Sequence, residues 1–500
     1  MGLLRGGPAR RWWVALAVVV AAPGALWALA SPVLSVPDEP SHALTAVALW
    51  HGQRNDVEVV FPDGHVVAFY ELPEPWAAAS GVPRCYAGHP EVTADCAVWP
   101  SRAGEDEVSG SSAGRYPPLF YGLVGWGGRL WDGPSGVHAM RLASAALCGA
   151  LVASAVWALA RVVDRRLALA GVLVAWVPTA AFLAGSVNPN GFEVAAAVAT
   201  WAAVLAVVRW PAVHHGPVPR SLLVHAAGAT AVLSFSRTIS PLFAGAVVVL
   251  AVVGAPPGAL RRLWEWRAVR WAAAVGASAA VIAGALIVTS HVLVATPGSI
   301  DVGDRNPAVA ALGQTGTYLE QMVGVFGWLD TPAPALVPGV WAGLGVGSLA
   351  LAVRRAGWRA SAGLLLTAVG IVVLPAVAQY PAAETQGLPW QGRYTLPLAV
   401  GIPLTAAVLL GSGPGRLGAT ALRRLGIGVA LATGAASLVA FHAALRRYAT
   451  GIGGPLDPRG GAWSPPGGAA WLLLAAVAVV AGAVALAAAD PPAGPATPEG

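Results

Sequence analysis

The chain has 500 residues, of which 56% are hydrophobic and 11% charged, with mean hydropathy +0.65 and formal net charge +6. A soluble domain carries about 25% charged residues, so this composition excludes an ordinary soluble enzyme and reads as an integral membrane protein. All 30 basic residues are arginine and lie scattered in short loops, which excludes a nucleic-acid partner.

The first apolar segment, Trp12–Ala30, follows Arg5, Arg10 and Arg11. Its length is close to the ~20 residues that cross a hydrocarbon layer. Ala28-Leu29-Ala30 resembles a signal cleavage site, but many apolar runs follow, so residues 1–30 are read as a retained first span. Residues 31–134 are read as an outer loop domain. Its part 31–116 holds twelve of the 24 acidic residues and is too long for a linker, so it is expected to fold with short helices. Cys85 and Cys96 lie in this loop and are expected to pair on the oxidising side of a membrane. Cys148 falls inside an apolar run and reads as a small core residue. Tyr116–Trp131, with Pro117-Pro118 and several aromatics, reads as an interfacial or re-entrant helix.

Eleven more apolar runs are read as spans. Residues 135–295 hold Gly136–Ala160, Leu167–Ala184, Phe192–Val208, Ser221–Ser236, Pro241–Gly254 and Trp271–Ala295. A second outer loop takes 296–334. Residues 335–489 hold Ala335–Val353, Ala360–Gln379, Tyr394–Gly411, Gly426–Leu445 and Ala469–Ala489, and 490–500 form a tail. The expectation is an all-α membrane protein of about twelve transmembrane helices. Eighteen arginines then fall in short loops on one side, with only Asp164, Glu265, Asp490 and Glu499 among the acids. The positive-inside rule places that side and both termini in the cytoplasm, for a multi-pass protein of the plasma (inner) membrane.

Polar groups gather at the other ends of the spans. Val36–His42 carries Asp38, Glu39 and His42, and Pro37 and Pro40 break any helix leaving the membrane. Two carboxylates at a helix start suit a general base or a cation holder, or they simply cap a helix. Arg141, Arg237 and Arg393 lie at membrane depth or at outer turns, where an ionisable group marks a functional candidate. Asn188, Asn190 and Glu193 read either as a turn with a helix cap or as site residues. Glu384 and Gln391-Gly392-Arg393-Tyr394 precede the tenth span, with a glycine beside a fork-shaped phosphate ligand. Trp328 and Asp330 end the second outer loop, as interfacial belt residues or as a wall of an acceptor pocket. His214 and His215 read as solvated. No zinc spacing, Walker loop or Gly-x-Ser-x-Gly elbow is present.

Taken in order, Pro37-Asp38-Glu39…His42, Tyr116-Pro117-Pro118-Leu119-Phe120-Tyr121, Arg141-Leu142-Ala143-Ser144, Phe326-Gly327-Trp328-Leu329-Asp330 and Gln391-Gly392-Arg393-Tyr394 resemble an uncharacterised bacterial membrane family known as a domain of unknown function. The first three motifs also resemble the GT-C glycosyltransferases, particularly protein O-mannosyltransferases and lipid A aminoarabinose transferases. That resemblance implies a GT-C-like fold with a large outer loop between helices 1 and 2. It implies transfer of a sugar from a polyprenyl-phosphate donor to an envelope glycan, lipid or protein acceptor. Asp38 matches the base, with Glu39 and His42 beside it. Arg141, Arg237, Arg393 and Tyr394 are expected at the donor phosphate, and Trp328, Asp330 and Glu384 at the acceptor. Asp38 and Glu39 could alternatively hold a divalent cation, Mg or Mn. The competing classes are a transporter or lipid flippase, and a non-catalytic partner in envelope polymer assembly. Spans nearly free of charge favour the enzyme over a transporter.

Overall fold

A computed structural model describes residues 8–54, 57–61, 66–100, 107–290, 306–383, 387–412 and 417–489. It is a helical membrane protein with two small sheets. Among the described residues, nine helices are long and apolar enough to cross a membrane.

The spans in chain order are α1 (Pro8–Ala30) and, after α2 (Glu39–Trp50) in the loop, α3 (Gly133–Leu159). The third expected span is two helices, α4 (Arg165–Ala175) and α5 (Pro178–Ala184), bent by 78°. Pro178 causes the break, because the residue before a proline is pushed out of the helical region. Next come α6 (Pro189–Val213), α7 (Arg220–Ser234), α8 (Ser240–Val253) and α9 (Arg267–Thr289). The chain continues with α10 (Leu336–Ala360), α11 (Ala362–Gln379), α12 (Gly401–Ser412), α13 (Ala419–Thr450) and α14 (Ala469–Ala488). Every expected run is therefore helical, but the count of twelve full spans is coarser than the structure. α7 and α8 have only 15 and 14 residues. At 1.5 Å per residue each covers about 22 Å, less than the ~30 Å hydrocarbon layer.

α6 is the axis of the bundle. Its most apolar window is 94% buried, whereas those of α9 and α10 are 17% buried and face outward. Contacts fix the two ends. At one end, Trp12 Nε1 donates to the Leu486 carbonyl, Arg165 and Arg166 donate to that of Ala489, and Arg209 donates to that of Gly254. At the other end, called the loop end here, the 31–134 segment closes over the helix termini.

That segment holds more than short helices. β1 (Val57–Val60), β2 (Val66–Leu72) and β3 (Glu107–Ser111) form an antiparallel sheet in the order β1-β2-β3. α2 packs on β3, where Thr45 Oγ1 meets Ser111 Oγ at 2.8 Å and Ser111 donates to the Ser41 carbonyl at 2.7 Å. The Tyr116–Trp131 stretch forms two short helices, Leu119–Val124 and Trp126–Leu130. Cys85 and Cys96 form a disulfide with Cα atoms 6.2 Å apart, and Cys148 is buried and free. A small hairpin, β4 (Val325–Phe326) and β5 (Thr331–Pro332), carries the Gly327–Asp330 turn. Beneath the loop end lies an aromatic floor. Trp27 packs on Phe182, Phe326 and Phe441 with centroids 4.8–5.2 Å apart.

Candidate functional site

Adjacent carboxylates at the start of α2 point in different directions. Glu39 is fully buried against Arg141, whose Nε and Nη2 donate to its two oxygens at 2.7 and 2.6 Å. Glu39 also accepts from the backbone of Val187 at 2.9 Å and of Val36 at 3.3 Å. Arg141 gives its other N–H groups to the carbonyls of Ala28, Ser31 and Pro32 at 2.8–3.1 Å. All five guanidinium donors are thus engaged. In this geometry Arg141 fastens the end of α1 to α2, a different job from the phosphate contact expected of it. Glu39 likewise has no oxygen free for a cation.

Asp38 behaves otherwise. It sits at the N-cap position with φ 64°, a left-handed conformation that aspartate tolerates better than most residues. Its side chain makes no cap bond and instead accepts from Arg393 Nη2. The simple capping reading therefore fails for this residue. Asn188 fixes the unusual backbone by donating to the Pro37 carbonyl at 2.8 Å while capping α6 through Asn190 N at 2.9 Å. Asp38 remains 48% exposed, whereas its partner Arg393 is 3% exposed. Burial would raise the Asp38 pKa, but the charges of Arg393 and Arg237 and the Arg393 bond outweigh it. The carboxyl is held below its usual 3.8 and stays ionised at neutral pH.

Arg393 comes from Gln391-Gly392-Arg393-Tyr394. Gly392 is required there, since a Cβ would stand 2.1 Å from the Tyr318 carbonyl. Its N–H donates to Gln321 Oε1 at 2.8 Å. Arg393 Nη2 also reaches the Tyr394 hydroxyl at 3.2 Å, while its Nε and Nη1 are buried without a partner among the described residues. Arg237 stands on the other side of the same tyrosine. The Arg237 and Arg393 guanidinium carbons lie 4.9 and 5.2 Å from the Tyr394 ring centroid. Glu193 holds Arg237 at 3.1 Å and accepts from Ser240. Arg237 Nε is likewise buried and unpartnered among the described residues. His42 is buried, with Nδ1 2.8 Å from the Tyr121 hydroxyl and its ring edge-on to Tyr116 at 5.3 Å. Burial lowers its pKa to about 3, with Arg237 and Arg393 pushing the same way and Asp38 opposing. It is a neutral imidazole, suited to positioning Tyr121 and unsuited to carrying a proton at neutral pH.

A small void of about 10 Å³, room for one water, separates Arg393 and Gln391 from Pro37, Gln321 and Leu329. Leu329 has φ 63° and belongs to the β4–β5 turn. Asp330 in that turn does not face this cluster. It accepts from Arg447 and from Gly88 N at 3.0 Å and from Thr331 at 2.8 Å, tying the hairpin to α13 and to the disulfide loop. The acceptor role expected of it gives way to this structural one, because both its oxygens are taken. Trp328 is half-buried, and its indole N–H has no partner among the described residues. Glu384 lies outside the described residues. A metal ion does not fit the pair: Glu39 is closed by Arg141, and no group of three His, Cys, Asp or Glu among the described residues is placed to hold one.

Sequence reasoning passed over Arg447, which donates to the carbonyls of Tyr86, His89 and Val92 and to Asp330. The available signal was that Arg447, in the last turn of α13, breaks the arginine asymmetry of the other loops. Gln321 carried no such signal, and Tyr121 stood out only as part of the Tyr116–Tyr121 motif.

A family model described as "Predicted membrane protein (DUF2142)" matches residues 22–402. The chain belongs to that family. No curated protein matches it. Among solved structures it is similar to ArnT from Cupriavidus metallidurans in the apo state, at 15% identity and a TM-score of 0.49, covering 96% of this chain and 77% of that one. The same protein bound to undecaprenyl phosphate aligns at 15% identity and 0.46, over 95% and 77% of the two chains. The oligosaccharyltransferase of Archaeoglobus fulgidus aligns at 13% identity and 0.39, over 89% and 57%.

Proposed function

We propose that this member of the DUF2142 family is a GT-C-type glycosyltransferase, working at the outer face of the plasma (inner) membrane with both termini in the cytoplasm. It moves a sugar from a polyprenyl-phosphate donor to a hydroxyl of an envelope glycan, lipid or protein. The observation that carries this is the pairing of Asp38 with Arg393 across 355 positions of sequence. It puts an ionised, accessible carboxylate against a buried guanidinium whose Nε and Nη1 have no partner among the described residues.

Each group has a task in this chemistry. The acceptor O–H gives its proton to Asp38 as its oxygen attacks the anomeric carbon. The bond from that carbon to the phosphate oxygen breaks, and the lipid phosphate leaves as an anion. Arg393 and Arg237, gathered around Tyr394, stabilise that charge, and preorganised cations act most strongly where water is scarce. Glu193 keeps Arg237 in place. The lipid tail has a path. An apolar groove of about 560 Å³, walled by Val174, Met322, Trp341, Ile371, Leu396 and Pro403, begins one turn beyond Arg393. The donor class follows from the motif resemblance together with this placing of a cation pair beside an apolar groove at the membrane edge.

Mass spectrometry of lipid co-purified with the full chain tests the reading. A polyprenyl phosphate or its glycoside is expected, and its loss from Arg393→Gln. Purified protein carrying only bulk phospholipid, with no affinity for added polyprenyl phosphate, contradicts it. Orientation is tested separately by a cysteine at Leu456, which is 71% exposed at the loop end. It should label from outside intact cells.

A further inference from the structure

We propose that Arg393 is a donor-operated latch on Asp38: an arriving phosphate draws the guanidinium off the carboxylate, so the base is released only when the donor is in place. This rests on the donor assignment above and concerns how the same site is controlled.

The stereochemistry of the guanidinium carries the inference. An arginine has two edges that present parallel N–H pairs, Nε with Nη2 and Nη1 with Nη2, and Nη2 belongs to both. Here Nη2 is the nitrogen in use, donating to Asp38 and to Tyr394, while Nε and Nη1 are buried and unpartnered among the described residues. A buried donor left without an acceptor is costly, so an anion that reaches those two nitrogens is favoured. Phosphate is gripped best by two parallel N–H groups. Either grip must recruit Nη2, and so it competes with Asp38 or with the longer Tyr394 contact. The incoming anion also repels the Asp38 carboxylate directly.

The second cation favours this exchange. Arg237, on the other side of Tyr394, is kept by Glu193 and Ser240 and has its own unpartnered Nε. A phosphate between the two arginines therefore meets one cation already engaged by a buried carboxylate and one whose carboxylate partner among the described residues is the half-exposed Asp38. Because Asp38 is 48% exposed, it can turn toward the acceptor when released. Before donor arrival the carboxylate is paired and a poor base. The latch thus predicts that donor binds before the acceptor is activated.

The test uses the full chain in zwitterionic nanodiscs and a long-chain polyprenyl monophosphate as probe. If Asp38 competes with phosphate for Arg393, Asp38→Asn binds the probe about three- to tenfold more tightly than wild type, the range expected for losing one partly exposed ion pair. Arg393→Gln loses most of the binding. Equal or weaker binding by Asp38→Asn overturns the latch. A second measurement needs no variant. Water-soluble carbodiimide modifies protonated carboxyls, and Asp38 labelling at mildly acid pH, read by peptide mass spectrometry, should rise several-fold when the probe is bound. Bound probe with unchanged Asp38 labelling overturns the latch and leaves the donor assignment standing. A wild-type protein that binds no probe at all removes the donor assignment, and the latch with it.

Discussion

Two ion pairs begin at adjacent residues and end in opposite conditions. In Glu39–Arg141 both side chains are wholly buried and all five guanidinium donors have partners. In Asp38–Arg393 the carboxylate is accessible, and the guanidinium keeps two nitrogens, Nε and Nη1 with three N–H donors, without partners among the described residues. The first pair is closed and can only hold. The second is open and can act. The left-handed turn at Asp38, kept by Asn188, sends the two side chains to different sides of the chain. The comparison teaches that a carboxylate doublet in sequence is not a shared site: accessibility and the partner's unused donors decide which member does chemistry.

Breaking the open pair should have the largest effect on activity. Asp38→Asn should lower sugar transfer by roughly 10²–10⁴-fold, the usual range for losing a general base. Its melting temperature should fall, but by less than that of Glu39→Gln, since Asp38 is 48% exposed and asparagine keeps an oxygen for Arg393 Nη2 although the buried guanidinium loses its counter-charge. Breaking the closed pair should act on the fold. Glu39→Gln leaves Arg141 as an uncompensated buried charge, which costs about 3–5 kcal/mol. It should show as a large fall in the denaturation midpoint and in membrane yield. Arg393→Lys keeps the charge but loses the planar fork, so polyprenyl phosphate affinity should fall by roughly tenfold without vanishing.

The smallest effect concerns His42, which lies between the pairs in sequence. Its folded pKa of about 3 is below the ordinary 6.5. Between those values the unfolded chain binds the proton and the native site does not, so acidification from 6.5 downward reduces stability. His42→Gln should flatten that slope in pH-dependent melting and leave the activity profile near neutrality unchanged in shape.

Much of this was legible in the sequence because hydropathy and arginine bias are long-range averages. The twelve apolar runs, the loop segment and the Cys85–Cys96 pair follow from them. Even the short α7 and α8 match the expected runs Ser221–Ser236 and Pro241–Gly254 to within two residues. What hydropathy could not carry was partner. The sheet in the loop was hidden because β1 and β2 are brief and sit among prolines and acids. Asp38, Glu39, Arg141 and Arg393 stand out as charges near membrane depth, but only three-dimensional pairing reveals that Arg141 has no nitrogen to spare and Arg393 has two. Asp330 makes the same point, since it looked available until Arg447, 117 positions away, was placed against it.

The most direct measurement sets Asp38→Asn and Glu39→Gln side by side, as single substitutions in cells lacking the native protein, with membrane level, thermal midpoint and restoration of the deletion phenotype recorded for each. The account predicts that Asp38→Asn keeps most of its level and midpoint yet restores nothing, while Glu39→Gln loses level and midpoint together. Full restoration by Asp38→Asn, or a fall in its midpoint matching that of Glu39→Gln, would contradict it.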